Sequence, residues 1–207
     1  MESYRLEGQT FVIDDYDRKP AFSSFLPGLA GVKGIPLWTF YTNRGQGMNS
    51  FGIDNKGNAI MEFNSANTAF ENTQVKGFRT FLKIDGEYYE PFFTYEKEAK
   101  RQMRMNKNSF KIIETNEKYG IEVTVNYYVL PNESIGALVR QVSVKNIGDS
   151  AKEVQVIDGL PKIITYGIAN GEFKEMSNLF KSWADIRNLE NKVPYYTLRA
   201  STKDSAE

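Results

Sequence analysis

From Ile121 to Leu130 the chain alternates Ile121, Val123, Val125, Tyr127 and Val129 with Glu122, Thr124, Asn126, Tyr128 and Leu130. A period of two puts the first set on one face of a long strand, and a half-buried strand needs neighbours to satisfy its backbone. Shorter β-favouring runs recur at 10–13, 36–42, 49–53, 59–64, 77–84, 88–93, 110–115, 137–146, 153–157 and 195–201, with turn residues between them. That spacing predicts a mainly β fold, a large antiparallel β-sandwich. Asp54-Asn55-Lys56-Gly57-Asn58 and Asp85-Gly86-Glu87 read as hairpin turns, since Asn and Gly accept the positive φ of tight loops.

One segment departs from the period. Phe173, Met176, Leu179, Phe180, Trp183 and Ile186 follow helical spacing, which predicts one principal helix over 172–188. Asn170 is the expected N-cap, Glu172 and Glu175 suit the helix dipole, and Pro194 limits continuation. Core packing is the plain role of Phe180 and Trp183. No repeat or linker divides the 207 residues, so one domain over 1–207 is expected, long enough to bury roughly 70% of its unfolded surface.

Composition removes several chemistries. With no His and no Cys, a Ser-His-Asp triad, a thiol nucleophile, a His or thiolate zinc site and a disulfide framework are all excluded. Equal numbers of basic and acidic residues, 26 of each, give no overall attraction for a polyanion, so neither nucleic acid nor an anionic membrane is an expected partner. No stretch resembles a signal peptide or a membrane span, and the expected compartment is the cytoplasm.

Few segments carry chemistry. The glycine-rich stretch 27–34 lacks the lysine and hydroxyl of a phosphate loop and reads as a turn-rich entry to a strand. The charge run 96–101, followed by Arg104 and Lys107, reads as a solvated loop or short exposed helix. Glu62 and Arg79, both within strand patterns, are expected to pair across neighbouring strands. Asp14-Asp15-Tyr16-Asp17 ends the first strand pattern, where Asp commonly forms turns. Asn43-Arg44-Gly45-Gln46-Gly47-Met48-Asn49-Ser50 offers planar amide and guanidinium donors on a glycine-flanked loop after the aromatic strand Trp38-Thr39-Phe40-Tyr41. Two roles are open for it: reading sugar hydroxyls, or a hairpin loop with Arg44 as an internal brace.

Pro20-Ala21-Phe22-Ser23-Ser24-Phe25-Leu26-Pro27-Gly28-Leu29-Ala30-Gly31, Asn43-Arg44-Gly45-Gln46-Gly47, Ser50-Phe51-Gly52, Ile60-Met61-Glu62-Phe63 and Gly77-Phe78-Arg79-Thr80-Phe81 follow one another in this chain. In order and spacing they resemble the inverting phosphorylases of glycoside hydrolase family 94, the 1,2-β-oligoglucan and cellobiose phosphorylase-like enzymes. Met176-Ser177-Asn178-Leu179-Phe180-Lys181-Ser182-Trp183 is similar to the helical insertion of the same N-terminal domain. The resemblance spans about 11–201 and implies a super-sandwich that precedes a catalytic (α/α)6 barrel. Family members cleave a β-glucoside with inorganic phosphate to give α-glucose 1-phosphate, and their general acid lies in the barrel. No barrel is present in this chain, so no catalytic residue is assigned, no metal or cofactor is expected, and the chain alone is expected to be inactive, as an N-terminal domain or a truncated piece. By the same resemblance the domain contributes to a homodimer and lends loops to the site for a β-glucan oligosaccharide, and Arg44, Gln46, Asn49, Asn178 and Lys181 become the substrate-binding candidates. A free-standing carbohydrate-binding β-sandwich is the alternative.

Overall fold

A computed structural model describes residues 3–28, 34–93 and 98–199. In chain order its first strands are β1 (Tyr4–Glu7), β2 (Thr10–Asp14), β3 (Ser23–Phe25), β4 (Leu37–Thr42), β5 (Met48–Ile53) and β6 (Ala59–Met61). Helix α1 (Ala66–Lys76) precedes β7 (Arg79–Ile84), β8 (Glu87–Tyr89), β9 (Lys100–Met105), β10 (Ser109–Asn116), β11 (Ile121–Val129), β12 (Leu138–Asn146) and β13 (Val154–Gly159). Helix α2 (Asn170–Trp183) runs directly into β14 (Ala184–Arg187), which pairs with β15 (Tyr195–Leu198). Strand accounts for 44% of the described residues against 16% helix, so the fold is mainly β.

The expected single large sandwich does not form. Four separate antiparallel sheets take its place: six strands in the order β1-β2-β9-β10-β11-β12, four as β3-β4-β5-β6, three as β13-β7-β8, and the β14-β15 hairpin. The reason is visible in strand length, since β3, β6 and β8 have three residues each and cannot carry the ladder from one sheet into the next. Face-to-face packing persists all the same. The alternation on β11 buries Ile121, Val123, Val125, Tyr127 and Val129, in one cluster with Tyr41, Met48 and Phe51 of the four-stranded sheet and Leu82, Ile84 and Tyr89 of the three-stranded sheet. At roughly 1.5–3 kcal/mol per fully buried large apolar side chain, this shared face is the main source of stability.

A second cluster covers the other face of the four-stranded sheet. Phe173 and Phe180 of α2, with Met176 and Trp183, pack on Trp38, Ala59 and Phe63 and on Ile164 and Ile168. Phe180 and Trp183 therefore pack as expected, with ring centroids 5.4 Å apart at 87°. The helix itself is shorter than 172–188. It stops at Trp183, eleven residues before Pro194, because Ala184 turns extended and the Trp183 carbonyl is taken by the Arg199 N–H at 2.8 Å. Ile186 thus belongs to a strand, and Leu179 points outward. Asn170 is the first helical residue and not the cap. Its Oδ1 accepts from Phe63 N at 3.1 Å, which ties α2 to the end of β6.

Helix α1 and four strands, β1, β3, β9 and β14, are additions to the expected pattern. Among them β9 overturns the reading of the charge run, of which residues 96 and 97 lie outside the described residues. Lys100–Met105 is an interior strand between β2 and β10. Arg101 is inward and buried, its Nη1 2.5 Å from Asp17 and its Nε 2.6 Å from Glu114. Asp17 is accordingly one half of a buried ion pair, while Asp15 takes φ 49° at the turn. Glu62 and Arg79 do not pair with each other: Lys162 holds Glu62 at 2.9 Å and Arg79 holds Glu90 at 2.7 Å. The two expected hairpin turns are present, with Asp85 and Gly86 both at positive φ between β7 and β8. Residues 29–33 of the glycine-rich stretch and residues 200–207 lie outside the described residues. Among the described residues no helix is long and apolar enough to cross a membrane.

Candidate functional site

The 43–47 turn joins β4 to β5, and its chemistry is decided by what each side chain meets. Asn43 is fully buried, its Nδ2 donating to the carbonyls of Tyr16 and Pro20, both at 2.9 Å, and its Oδ1 accepting from Phe22 N at 3.0 Å. Gly47 has φ 82°, and a Cβ there would lie 2.7 Å from the Phe110 ring, so the turn is pressed onto the core. Tyr16 Oη closes the other side by donating to the Gly45 carbonyl at 2.6 Å.

Arg44 is half-buried. Its guanidinium donates to the Asn43 carbonyl at 2.7 Å and the Lys19 carbonyl at 3.0 Å, and it stacks 4.5 Å from the Phe70 ring centroid of α1. Burial lowers its pKa, while the charge of Asp17 works in the opposite sense. These partners are those of a brace between the turn, the 16–20 segment and α1.

Gln46 is buried in a polar cluster between the sheets. Its Nε2 donates to Thr80 Oγ1 at 3.0 Å, its Oε1 accepts from Arg140, and Thr80 in turn donates to Asp158 Oδ1 at 2.6 Å. Arg140 also holds both Asp158 oxygens, donates to Tyr127 Oη at 3.2 Å and lies 4.9 Å from the Phe78 centroid. Burial works against the Arg140 charge, and Tyr127 and Asp158 outweigh it, leaving its pKa raised. Burial pushes the Tyr127 hydroxyl up to about 12, Arg140 opposing. Every member of this cluster has a partner, as a buried polar network requires.

Asn49 is different. Ser50 pairs with Phe40 and Met48 pairs with Tyr41, so Asn49 is the extra residue of a β-bulge. A bulge bends its strand and re-aims the unpaired side chain. Here Asn49 is buried, and it lines a cavity of about 210 Å³ between α1, the end of β6 and the 161–164 segment. The other polar walls are Glu62, Asn64, Asn72, Thr73, Lys76 and Lys162, and Met61, Ala69 and Ile164 supply apolar surface. Lys162 reaches this wall from beneath, 2.9 Å from Glu62 and 4.3 Å from the Phe173 centroid.

Asn178 and Lys181 share the exposed side of α2, Lys181 Nζ donating to Asn178 Oδ1 at 3.2 Å. Among the described residues no hydrogen bond joins either to the turn or to the cavity. The five sequence candidates therefore fall into four settings: a brace, a buried polar cluster, a cavity wall and a helix surface. Asn64, Asn72, Lys76 and Lys162 were missed. The helix that carries Asn72 and Lys76 has no apolar stripe to announce it, burying only Ala69 and Thr73. Among the described residues no group of three or more His, Cys, Asp or Glu could hold a metal ion. Comparison with known protein-family models and with curated proteins gives no match.

Proposed function

We propose that this chain is the non-catalytic N-terminal β-domain of an inverting β-glucan phosphorylase, with its six-, four- and three-stranded sheets packed around one apolar core. One observation carries the reading. The segments that resemble the family follow one another within 20–81 and fold into neighbouring elements: 23–25, 50–52 and 60–61 lie in the four-stranded sheet, 43–47 is its turn, and 79–81 opens the three-stranded sheet. The segment 176–183 is the part of α2 that packs on the outer face of the same four-stranded sheet. Consecutive antiparallel strands lie side by side whatever their ancestry, so the order and spacing of the motifs carry the reading, and the fold gives each motif its place.

Large apolar side chains lie on the surface. Tyr166, Tyr88, Ile157 and Leu6 are 86%, 80%, 74% and 71% exposed, spread from the first strand to the segment before α2. In this reading another unit of the full enzyme covers part of that surface. In this reading the barrel binds and cleaves the β-glucan oligosaccharide with inorganic phosphate in the cytoplasm, and the domain contributes to the homodimer.

The test uses the purified chain alone and together with a separately produced (α/α)6 barrel of a 1,2-β-oligoglucan phosphorylase. With sophoro-oligosaccharides and phosphate, the expected result is no glucose 1-phosphate from the chain alone and release when the two are combined. Release by the chain alone above a boiled control defeats the non-catalytic assignment. Failure of the chain to associate with the barrel defeats the phosphorylase assignment. A free-standing carbohydrate-binding β-module is the second reading, favoured by the cavity into which the β5 bulge turns Asn49.

A further inference from the structure

We propose that the cavity lined by Asn49 and Asn72 binds one hexose unit of a neutral saccharide. The inference rests on the carbohydrate part of the reading above for its ligand class, and on the following geometry for its place.

A buried carboxamide normally uses its donors, because an unpaired polar group away from water costs about 1–3 kcal/mol in proteins. Asn49 is only 5% exposed, and its Oδ1 accepts from Ser50 Oγ at 2.9 Å. Among the described residues nothing accepts from its Nδ2, and that atom is not sealed off, so its open direction is the cavity it lines. The bulge is what creates this arrangement: in a regular β5, residue 49 would face a ladder partner on β4. Asn72, half-buried on the facing side of α1, has no side-chain hydrogen bond among the described residues either. Glu62 accepts from Lys162 through Oε2, which compensates the carboxylate and leaves Oε1 without a donor among the described residues.

Two amides with both donor and acceptor capacity, one compensated carboxylate and an aliphatic wall of Met61, Ala69 and Ile164 suit a ring that carries hydroxyls at its rim and C–H groups on its faces. Lys162 compensates the Glu62 carboxylate and Lys76 adds a second cation to the wall, so the choice of a neutral ring rests on the amides and the aliphatic surface, with inorganic phosphate as the competing ligand in the test. A volume of about 210 Å³ holds roughly seven waters at ~30 Å³ each, comparable to one hexose and too small for a disaccharide. Longer saccharides would place one terminal unit in the cavity.

The experiment follows the side-chain amide signals of the ¹⁵N-labelled chain while methyl β-glucoside, sophorose or inorganic phosphate is added, for the protein and for Asn72→Ala. That substitution exchanges Asn for a better helix former and should keep the melting temperature. Both sugars are expected to shift the Asn49 and Asn72 side-chain signals, with binding about three- to tenfold weaker in Asn72→Ala, the size of one lost neutral hydrogen bond. Sugar binding that moves other signals and spares these two overturns the site while leaving the carbohydrate reading intact. Equal shifts from phosphate overturn the neutral ligand class. Silence with both sugars at high millimolar concentration overturns the site and the binding-module reading, and it leaves the barrel association test untouched.

Discussion

Arg44 lies 4.5 Å over the ring of Phe70, which fastens the 43–47 turn to α1. With its fork also on the Asn43 and Lys19 carbonyls, the side chain organises three segments of backbone. Arg44→Ala should therefore lower stability by about 1–3 kcal/mol, from hydrogen bonds to a charged group and a cation–π contact. For a chain of this size that is a fall of roughly 2–4 °C in Tm per kcal/mol. In a barrel-bearing enzyme, kcat/KM per folded molecule should change little. Unchanged melting with a tenfold loss in kcat/KM would instead return Arg44 to substrate binding.

Arg101 is expected to be the most damaging charged residue to remove. Arg101→Met leaves Asp17 and Glu114 buried without their cation, a defect worth about 3–5 kcal/mol. The comparison is Lys100→Met one residue earlier, whose partner Glu117 is exposed and whose loss should leave stability nearly unchanged. Urea melts of the two variants decide the point, and equal midpoints would show that the buried clamp adds nothing.

Alkaline pH should unfold the protein before its buried tyrosines ionise. Burial raises the hydroxyls of Tyr16 and Tyr89, and it holds Tyr127 at about 12 against an ordinary 10. A folded pKa above the unfolded one means that the native state keeps protons the unfolded state has lost. The stability is whole below pH 10 and declines as pH rises toward 12, by about 1.4 kcal/mol per pH unit for each such tyrosine. The part of the tyrosinate absorbance that belongs to the buried rings should appear together with the loss of far-UV circular dichroism above pH 10. Ionisation of all tyrosines near pH 10 with the fold retained would contradict the burial assigned here.

Two glycines with positive φ should respond unequally to alanine. At Gly86, φ is 95° and a Cβ meets nothing within 4 Å, so the cost is backbone strain of about 1–2 kcal/mol. At Gly47 the same strain is joined by collision with the Phe110 ring, adding about 1–3 kcal/mol. Gly47→Ala should melt at the lower temperature, and the reverse order would mean that the turn does not press on the core as described.

The parts of this fold that could be read from the sequence are those whose signal is local. The β11 alternation and the Asp85-Gly86 turn are written in consecutive residues and came out as expected. Strand β9 was hidden because its inward positions are Arg101, Met103 and Met105, and the charge at the first is answered by carboxylates 84 and 13 residues away. Helix α1 was hidden because small residues, not large apolar ones, form its buried side. The candidate site failed to be legible for a third reason. A bulge is a property of register between two strands, and nothing in Met48-Asn49-Ser50 says which of the three will be left unpaired.

The Asp17–Arg101 clamp also bears on how the chain reaches its native state. Strands β9 to β12 follow one another as a meander and can pair through short connections, whereas β2 meets β9 only after the intervening 15–99 has been folded back. Closing so long an excursion is entropically late, and non-local pairing is slow. Until β2 arrives, β9 is therefore the outer strand of a nascent sheet with unsatisfied backbone groups. An inward-pointing arginine on such an edge makes it a poor template for another chain, a known guard against edge-to-edge aggregation. When Asp17 docks with the rest of the excursion, it completes a clamp that Glu114 of the neighbouring β10 has already half closed, so Arg101 is held from both sides only in the native sheet.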